Sequence, residues 1–373
     1  MKSLEILTKD ALFLLALKLD VPDLLNLCEA YPRMDQSICQ RKDIWLKKLQ
    51  PFYPCESATE SLKLIKDLNT FKSEIPNLKI KETYSLIYSL NVVNHFLTEL
   101  DFMDQSLFKL YQLRELDLSA YGKELQKLPK ELTLLTNLRK LDLSSSSIKE
   151  IPRGISNLTK LRKLDVSYSE INEIPKELMN LKKLRNLNLS GNRIKEVPEE
   201  LGELTNLQKL YLNSNRLKEV PKSLSVLKEL RKLYLDDNQF EEIPMEIREL
   251  INLQHLGLSY NKIQEFPRGV AQKLGNLYDL KRFYLNNNQI QEVPKEIGAL
   301  KELQGLDLSD NQIKEISREL KNLINLKELG LANNQIKEIP KEIINLKSLR
   351  QLYLQNNPLT KIPKESKYLC ISI

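Results

Sequence analysis

A 23-residue leucine-rich period fills the C-terminal two thirds of the chain and constrains its fold more than any other feature. Each copy follows the phrase L-x-x-L-x-L-x-x-N-x-I-x-x-I-P-x-x-I-x-x-L-x-x. The regular copies begin at Leu138, Leu161, Leu184, Leu207, Leu230, Leu253, Leu280, Leu303, Leu326 and Leu349. A unit this short cannot bury its own apolar face, so neighbouring copies must stack into a solenoid.

The first part of the phrase predicts a strand, because apolar and polar residues alternate in x-L-x-L-x. Successive strands would stack in parallel and form a sheet on the inner, concave side. An asparagine follows the strand in eight copies, where its amide can satisfy backbone groups of the turn. These are Asn192, Asn215, Asn238, Asn261, Asn288, Asn311, Asn334 and Asn357. Ser146 and Ser169 replace it in two early copies, and we expect looser turns there.

Proline follows the second apolar pair in ten of eleven copies, from Pro129 to Pro363, with Ser317 as the exception. Because proline fixes the backbone and lacks an N–H, it ends the pairing of the strand. The segment after it has helical spacing and predicts short helices or 3-10 turns on the outer side. The predicted fold is therefore an α/β solenoid with a curved parallel sheet inside.

The array is expected to cover residues 87–373. Leu113 begins the first of eleven recognisable copies. Upstream, Ile87, Leu90, Val92, Leu97 and Leu100 fit the same spacing with His95 at the asparagine position. We interpret them as one degenerate first repeat, which is where a capping repeat should be atypical.

Two irregularities interrupt the period. Residues 268–276 lengthen one copy; we interpret them as a tolerated insertion on the outer side, with a secondary contact surface as the alternative. Leu369 is predicted at the last apolar position of an outer segment. Because the sequence stops at Ile373, we expect no separate C-terminal domain.

The phrase resembles the leucine-rich repeat in its 23-residue type. This resemblance implies a protein that presents a binding surface and performs no chemistry. The sequence also has no phosphate-cradling glycine loop and no cysteine–histidine cluster with metal-ligand spacing. We therefore expect no enzymatic activity, no metal and no cofactor.

Variable positions between the strand leucines are predicted to face the concave side in two rows. The later row is Asp117, Asp142, Asp165, Asn188, Tyr211, Tyr234, Gly257, Tyr284, Asp307, Gly330 and Tyr353. The earlier row is Glu115, Lys140, Lys163, Asn186, Lys209, Lys232, His255, Arg282, Gly305, Glu328 and Gln351. The early copies alternate Asp with Lys and should neutralise themselves. The middle copies gather Lys209, Tyr211, Lys232, Tyr234, His255, Arg282 and Tyr284.

We interpret this middle cluster as a partner-binding site. Tyrosine and arginine are enriched at the energetic centres of interfaces, and an exposed strand position gains no core burial from an aromatic ring. The partner would be a protein with acidic and apolar groups. The alternative is that aromatic and cationic neighbours on adjacent strands only stabilise the sheet.

Residues 1–50 do not follow the repeat and predict a compact helical unit. Leu12, Leu15 and Leu19 share one helix face, and Asp23 is a suitable N-cap for a second helix. The stretch resembles an F-box through Leu7-Thr8, Leu12 to Leu19, Asp23-Leu24-Leu25-Asn26-Leu27 and Trp45-Leu46-Lys47-Lys48-Leu49. It departs from that family at Thr8, where proline is usual, and at Tyr31-Pro32. Residues 51–86 are predicted as a helical linker.

The F-box resemblance implies docking to the adaptor of a cullin–RING ubiquitin ligase. The contact residues that it implies are Leu7, Leu12, Phe13, Leu15, Leu24, Leu25 and Trp45. The alternative is that these residues only pack the helical unit and cap the solenoid, whose end otherwise exposes unpaired strand groups.

Composition limits the remaining classes of function. The net charge of +7 comes from 57 basic and 50 acidic residues, with no basic stripe or array of stacking aromatics for a nucleic acid. The four cysteines have no paired spacing, which favours reduced thiols and an intracellular location. The apolar run at residues 11–17 lacks a cleavage site and is too short to span a membrane. We expect a monomer that binds neither nucleic acid nor membrane.

The sequence thus predicts a protein-interaction module. Our first hypothesis is a substrate-recognition receptor of an SCF-type cullin–RING ubiquitin ligase. In it, the F-box-like region docks the adaptor and the concave face binds a target protein. The alternative is a non-catalytic scaffold or regulator of intracellular signalling, whose N-terminal helices only cap the solenoid.

Overall fold

A computed structural model describes residues 107–360 and 370–372, together with positions 67, 70, 73–75, 86, 87, 90, 91 and 93–97. These residues belong to two compact units. The first unit comprises residues 1–113 and 129–137, and the second comprises residues 114–128 and 138–373. The second unit carries the repeats.

The second unit contains one parallel sheet whose strands follow in chain order. Its twelve described strands are β1 (Glu115–Asp117), β2 (Lys140–Asp142), β3 (Lys163–Asp165), β4 (Asn186–Asn188), β5 (Lys209–Tyr211), β6 (Lys232–Tyr234), β7 (His255–Gly257), β8 (Arg282–Tyr284), β9 (Gly305–Asp307), β10 (Glu328–Gly330), β11 (Gln351–Tyr353) and β12 (Cys370–Ser372). The predicted strands of the eleven copies correspond to β1–β11. The solenoid prediction is confirmed.

Strand β12 was not predicted. Gln351 pairs with Cys370, whereas the 23-residue period would place its partner further along the chain. The last connection between strands is therefore shorter than the others. Leu369, which was predicted at an outer position, lies outside the described residues.

Burial alternates along most strands as the phrase predicts, and a flanking residue is also buried in β3, β7, β9 and β10. The central residue of every strand from β1 to β11 is almost completely buried; it is leucine throughout except for Phe283 in β8. Burial of one such side chain contributes about 1.5–3 kcal/mol. The leucines therefore form the core, and the residues on either side of them point away from it.

The outer segments of the second unit are 3-10 helices. They span Ser119–Glu124, Arg153–Asn157, Lys176–Asn180, Glu199–Glu203, Lys222–Val226, Met245–Glu249, Leu274–Asn276, Lys295–Ala299, Arg318–Asn322 and Lys341–Asn345. A proline precedes seven of them, with φ between −57° and −66°. Ser317 replaces it in one repeat, where its hydroxyl accepts a hydrogen bond from the Glu319 N–H.

The predicted insertion is folded and packed. Residues Arg268–Ala271 form an α-helical turn and Leu274–Asn276 form a 3-10 turn. Val270 and Leu274 are buried. The extra residues therefore enlarge the outer layer of this repeat and add apolar side chains to its core.

The asparagines join neighbouring repeats, which extends the predicted role. The Oδ1 of Asn238 accepts a hydrogen bond from the Leu217 N–H of the preceding repeat at 2.9 Å. Its Nδ2 donates to the carbonyl of Leu212 in that repeat at 2.9 Å and to Leu235 in its own repeat at 3.1 Å. The same pattern recurs at the other seven asparagines.

The two serines at this position bond differently. The hydroxyls of Ser146 and Ser169 lie 3.0 Å apart, and Ser146 donates to the Leu143 carbonyl at 2.8 Å. A single hydroxyl cannot both accept and donate across the repeat as widely as an amide does. That these turns are looser stays a prediction.

The prediction of a degenerate first repeat before Leu113 is wrong. The described positions between 86 and 97 are helical, where a repeat would place a strand. Ile87, Leu90, Val93 and Leu97 are buried, and the Asn91 side chain donates to the Ile87 carbonyl as a helical residue does. His95 is exposed instead of buried in a turn. Ile87, Leu90 and Leu97, at i, i+3 and i+10, suit one face of a helix as well as the repeat, which explains the wrong prediction.

The rest of the first unit includes helix α1 (Leu107–Tyr111) and a 3-10 helix at Lys130–Leu134. Residues 1–50, with the F-box-like positions Leu7, Leu12, Phe13, Leu15, Leu24, Leu25 and Trp45, lie outside the described residues. Most of the predicted linker at 51–86 does too. In the part of the chain that is described, no helix has the length and apolar character needed to cross a bilayer.

We expect Asn238→Ala to destabilise the second unit by about 1–3 kcal/mol, because it leaves buried backbone groups without a partner. Urea unfolding followed by circular dichroism measures the change. The control is Asn172→Ala at an exposed position, which should change stability by less than about 0.5 kcal/mol. Equal stability of the two variants would contradict the role of the asparagines.

Candidate protein-binding face

The first and third residues of β1–β11 form one exposed side of the sheet, here called the sheet face. Strands β5–β8 pair in register, so that Lys209, Lys232, His255 and Arg282 form one row. Tyr211, Tyr234, Gly257 and Tyr284 form the adjacent row. All seven predicted partner-binding residues therefore lie together on four consecutive strands; their binding role stays a prediction.

The tyrosine row contains a stacked pair. The rings of Tyr211 and Tyr234 are nearly parallel, with their centroids 5.3 Å apart. Burial raises the pKa of both hydroxyls above the ordinary value, and nearby Asp165 adds to the effect at Tyr211. Both phenols are therefore neutral at physiological pH. They present half-buried rings with a polar edge, which suits an interface.

Two residues of the basic row, Arg282 and His255, do not offer an uncompensated positive charge to a partner. Arg282 forms an ion pair with Glu328, two strands away, at 2.7 Å, so its charge is already compensated. Burial lowers the pKa of His255, and the positive charges of Lys232, Arg282 and Lys281 lower it further. His255 is thus neutral near pH 7. Among the described residues, no carboxylate lies within ion-pair distance of Lys209 or Lys232, which remain the two available cations of the cluster.

The predicted self-neutralisation at the beginning of the sheet is only partial, because the four carboxylates of Glu115, Asp117, Asp142 and Asp165 share two lysines, Lys140 and Lys163. The Lys163 ammonium lies 3.2 Å from Asp142 and 3.5 Å from Asp165. Burial disfavours its charge, but the hydrogen bond and attraction from Asp142 and Asp165 outweigh burial and raise the pKa of Lys163. Lys140 pairs with Glu115 at 2.8 Å. Both lysines are paired, and this part of the face keeps a net negative charge.

A residue that the sequence analysis missed lies in the middle of the face. The carboxylate of Asp236 covers Gly257, where a Cβ atom would collide with it. It accepts a hydrogen bond from the Ser259 N–H at 2.9 Å, yet burial raises its pKa. Asp236 follows its strand by two residues, outside both predicted rows. The sequence signal for it was Gly257, because a glycine in the tyrosine row leaves room for a side chain from the neighbouring strand.

Comparisons with known proteins agree with the repeat phrase. A family model described as leucine-rich repeat matches residues 136–194, 183–240 and 228–281. A second, described as two copies of leucine-rich repeats, matches residues 279–322 and 324–366. The chain belongs to the leucine-rich repeat family. No F-box model matches residues 1–50, and no curated protein matches the chain in sequence.

Solved leucine-rich repeat proteins share the fold. A leucine-rich repeat protein of Leptospira interrogans is 32% identical with a TM-score of 0.51, over 66% of this chain and 75% of that one. The plant peptide hormone receptor RGFR1, solved in complex with RGF2, is 25% identical with a TM-score of 0.57, over 73% and 49%. Internalin InlF of Listeria monocytogenes is 24% identical with a TM-score of 0.54, over 80% and 82%, and shows the fold alone.

Because the pKa of His255 is lowered in this leucine-rich repeat protein, we expect its contribution to stability to depend on pH. The folded pKa lies below the unfolded value of about 6.5. The contribution of His255 to stability is therefore fully present above pH 6.5 and is lost as the pH falls through its folded pKa. We expect urea midpoints to fall less between pH 7.5 and 5.5 in His255→Asn than in the wild type.

The control is Asn172→Ala, which replaces an exposed residue without a titratable group and should retain the wild-type pH dependence. Titration of the imidazole Cε1–H by NMR gives the midpoint of His255 directly. A midpoint at or above 6.5 would contradict the description of His255 as a partly buried, cation-flanked base.

Proposed function

We propose that the face of β5–β8 binds a target protein that carries acidic and apolar groups. The observation that carries this proposal is the row formed by Tyr211, Tyr234 and Tyr284. These rings are only half-buried on the exposed side of the sheet. A partner that covered them would remove large apolar surfaces from water and leave the hydroxyls able to hydrogen-bond.

The positive charges of this face favour a partner that carries acidic groups. Lys209 and Lys232 flank the stacked tyrosines, and neither has a carboxylate within ion-pair range among the described residues. A partner carboxylate placed over this pair would gain a charge-assisted hydrogen bond at the edge of the aromatic row. The plant receptor RGFR1, which shares the fold, was solved in complex with RGF2. That complex supports a binding function for a leucine-rich repeat sheet and identifies no partner for this chain.

The finer proposal is that this protein is a substrate receptor of an SCF-type cullin–RING ubiquitin ligase. It rests on the F-box-like residues of positions 1–50. Docking of that region to the adaptor would place the lysines of a bound target near a ubiquitin-charged enzyme, so the gain is proximity. The chain would perform no chemistry itself and would act inside the cell.

The second candidate is a scaffold or regulator of intracellular signalling. It is favoured by the family comparison, which matches the repeats and contains no F-box model. In that case residues 1–50 would cap the repeats, and the sheet face would carry the whole function.

We expect Tyr234→Ala to weaken binding of the target at least tenfold, because it removes the central ring of the row. The target is captured by proximity labelling in a eukaryotic cytosol, and its Kd is then measured with purified proteins. Tyr278→Ala is the control, since Tyr278 is 51% exposed and lies outside the sheet face. Equal loss in both variants, or in neither, would contradict binding through the tyrosine row.

We expect the cullin adaptor to co-purify with the wild-type protein and to be lost from the double variant Leu24→Asp with Leu25→Asp. The double variant must retain the wild-type circular dichroism spectrum and target affinity, which shows that the repeats remain folded. Folded wild-type protein that captures its target without the adaptor would overturn the receptor proposal and favour the scaffold.

A further inference from the structure

A second concave site lies on the sheet face beyond the tyrosine cluster. A cavity of about 320 Å³ opens over β8–β11, with Tyr284 and Tyr353 among its lining residues. The in-register row from β8 to β11 reads Tyr284, Asp307, Gly330 and Tyr353, so the two tyrosines lie three strands apart. At about 4.8 Å per strand, their backbones are separated by about 14 Å. The cavity therefore has an aromatic residue on either side.

Glycines form the floor of this cavity. Gly305 and Gly330 line it and are both buried. A Cβ atom at Gly330 would collide with the Asp307 carboxylate, and one at Gly305 would collide with the Arg282 guanidinium. Larger residues at either position would displace these groups. The absence of two side chains thus lets the Arg282 guanidinium lie over Gly305 and the Asp307 carboxylate lie over Gly330.

The charged groups that line the cavity are all acidic: Asp307, Asp310 and Glu328. Glu328 is already paired with Arg282, whose guanidinium covers Gly305 on the β8 side of the cavity. Asp307 accepts a hydrogen bond from the Ser309 N–H at 3.0 Å, and Asp310 accepts one from Asn333 Nδ2 at 2.8 Å. Among the described residues, neither has a basic side chain within ion-pair distance. The cavity is therefore negative and is compensated on one side only.

An unsatisfied acceptor gives an independent indication of a donor ligand. The Oε1 atom of Gln355, which also lines the cavity, is buried and has no hydrogen-bond partner. A buried carbonyl oxygen without a partner costs about 1–3 kcal/mol, and such atoms are rare in folded proteins. A small adjustment of the side chain toward an N–H donor in the cavity would satisfy it.

We propose that this cavity receives an arginine side chain of the bound protein. A guanidinium offers five N–H donors in a plane, which can reach two carboxylates and an amide oxygen at once. Its flat faces stack on tyrosine rings. A metal ion fits less well, because no three acidic, histidine or cysteine side chains of the described residues converge on one point. The inference extends the proposed function, which it presupposes for its biological partner.

The test uses the purified full-length protein and N-acetyl-arginine-methylamide as the probe. Binding is followed by NMR through the backbone amides of Gly305 and Gly330. We expect a saturable shift of both signals, and at least tenfold weaker binding of N-acetyl-citrulline-methylamide, which has the same shape without the charge. Asp307→Asn should weaken arginine binding at least fivefold while it retains the bond from Ser309, because an amide oxygen still accepts it.

Asp310→Asn tests the second carboxylate, and Asp237→Asn is its matched control. Asp237 and Asp310 occupy the same left-handed position of their repeats, with φ of 52° and 56°. Only Asp310 lines the cavity. We expect weaker arginine binding in the first variant and unchanged binding in the second. Equal binding of citrulline, or an unchanged affinity in Asp307→Asn and Asp310→Asn, would overturn the proposal.

The two proposals fail separately. The probe needs no target protein, so its binding to the cavity is measured whatever the outcome with Tyr234→Ala. If binding of the target depends on Tyr234 and the cavity does not bind the arginine probe, the cavity proposal alone is overturned. A cavity that binds the probe, together with a target that does not depend on Tyr234, would overturn binding through the tyrosine row alone.

Discussion

The buried asparagine amides are the interaction on which the rest of the second unit depends. Each amide accepts one bond from the preceding repeat and donates to carbonyls of both repeats, as Asn238 does toward Leu217, Leu212 and Leu235. Because the bonds have the same pattern at each of the eight asparagines, they set a constant displacement between these repeats. Leucine burial alone is non-directional and would tolerate slippage, so the amides provide the register that the leucines cannot.

A constant register explains why the sheet face consists of rows. Each exposed position has its equivalents directly beside it, so a glycine leaves an opening that the neighbouring side chain crosses. Asp236 covers Gly257, Arg282 crosses Gly305 toward Glu328, and Asp307 covers Gly330. The glycines thus decide which charges are compensated within the chain and which remain available to a partner.

The sequence predicted the strands and both rows because the period determines which residues are adjacent. It could not predict the pairing of Arg282 with Glu328, since that contact skips a strand and depends on side-chain conformations over Gly305. The helix around Leu90 was mistaken for a repeat because its apolar spacing suits both structures. Strand β12 was missed because the last connection departs from the period. The seven predicted binding residues do share one face, whereas the cavity over β8–β11 required the three-dimensional positions of Asp307, Asp310 and Gln355.

The distribution of charge along the sheet face gives it a direction. Lys163 is shared by Asp142 and Asp165 near the beginning, Lys209 and Lys232 have no described carboxylate within ion-pair distance in the middle, and the cavity beyond Tyr284 is acidic. A partner segment that crosses the strands would gain by placing a carboxylate near β5–β6 and a cation near β9–β10. The reversed orientation would place like charges together, which disfavours it. The tyrosines Tyr211 and Tyr234 beside these lysines, and Tyr284 beyond them, carry no charge and contact a partner equally in either orientation, so affinity and orientation would come from different residues of the same face.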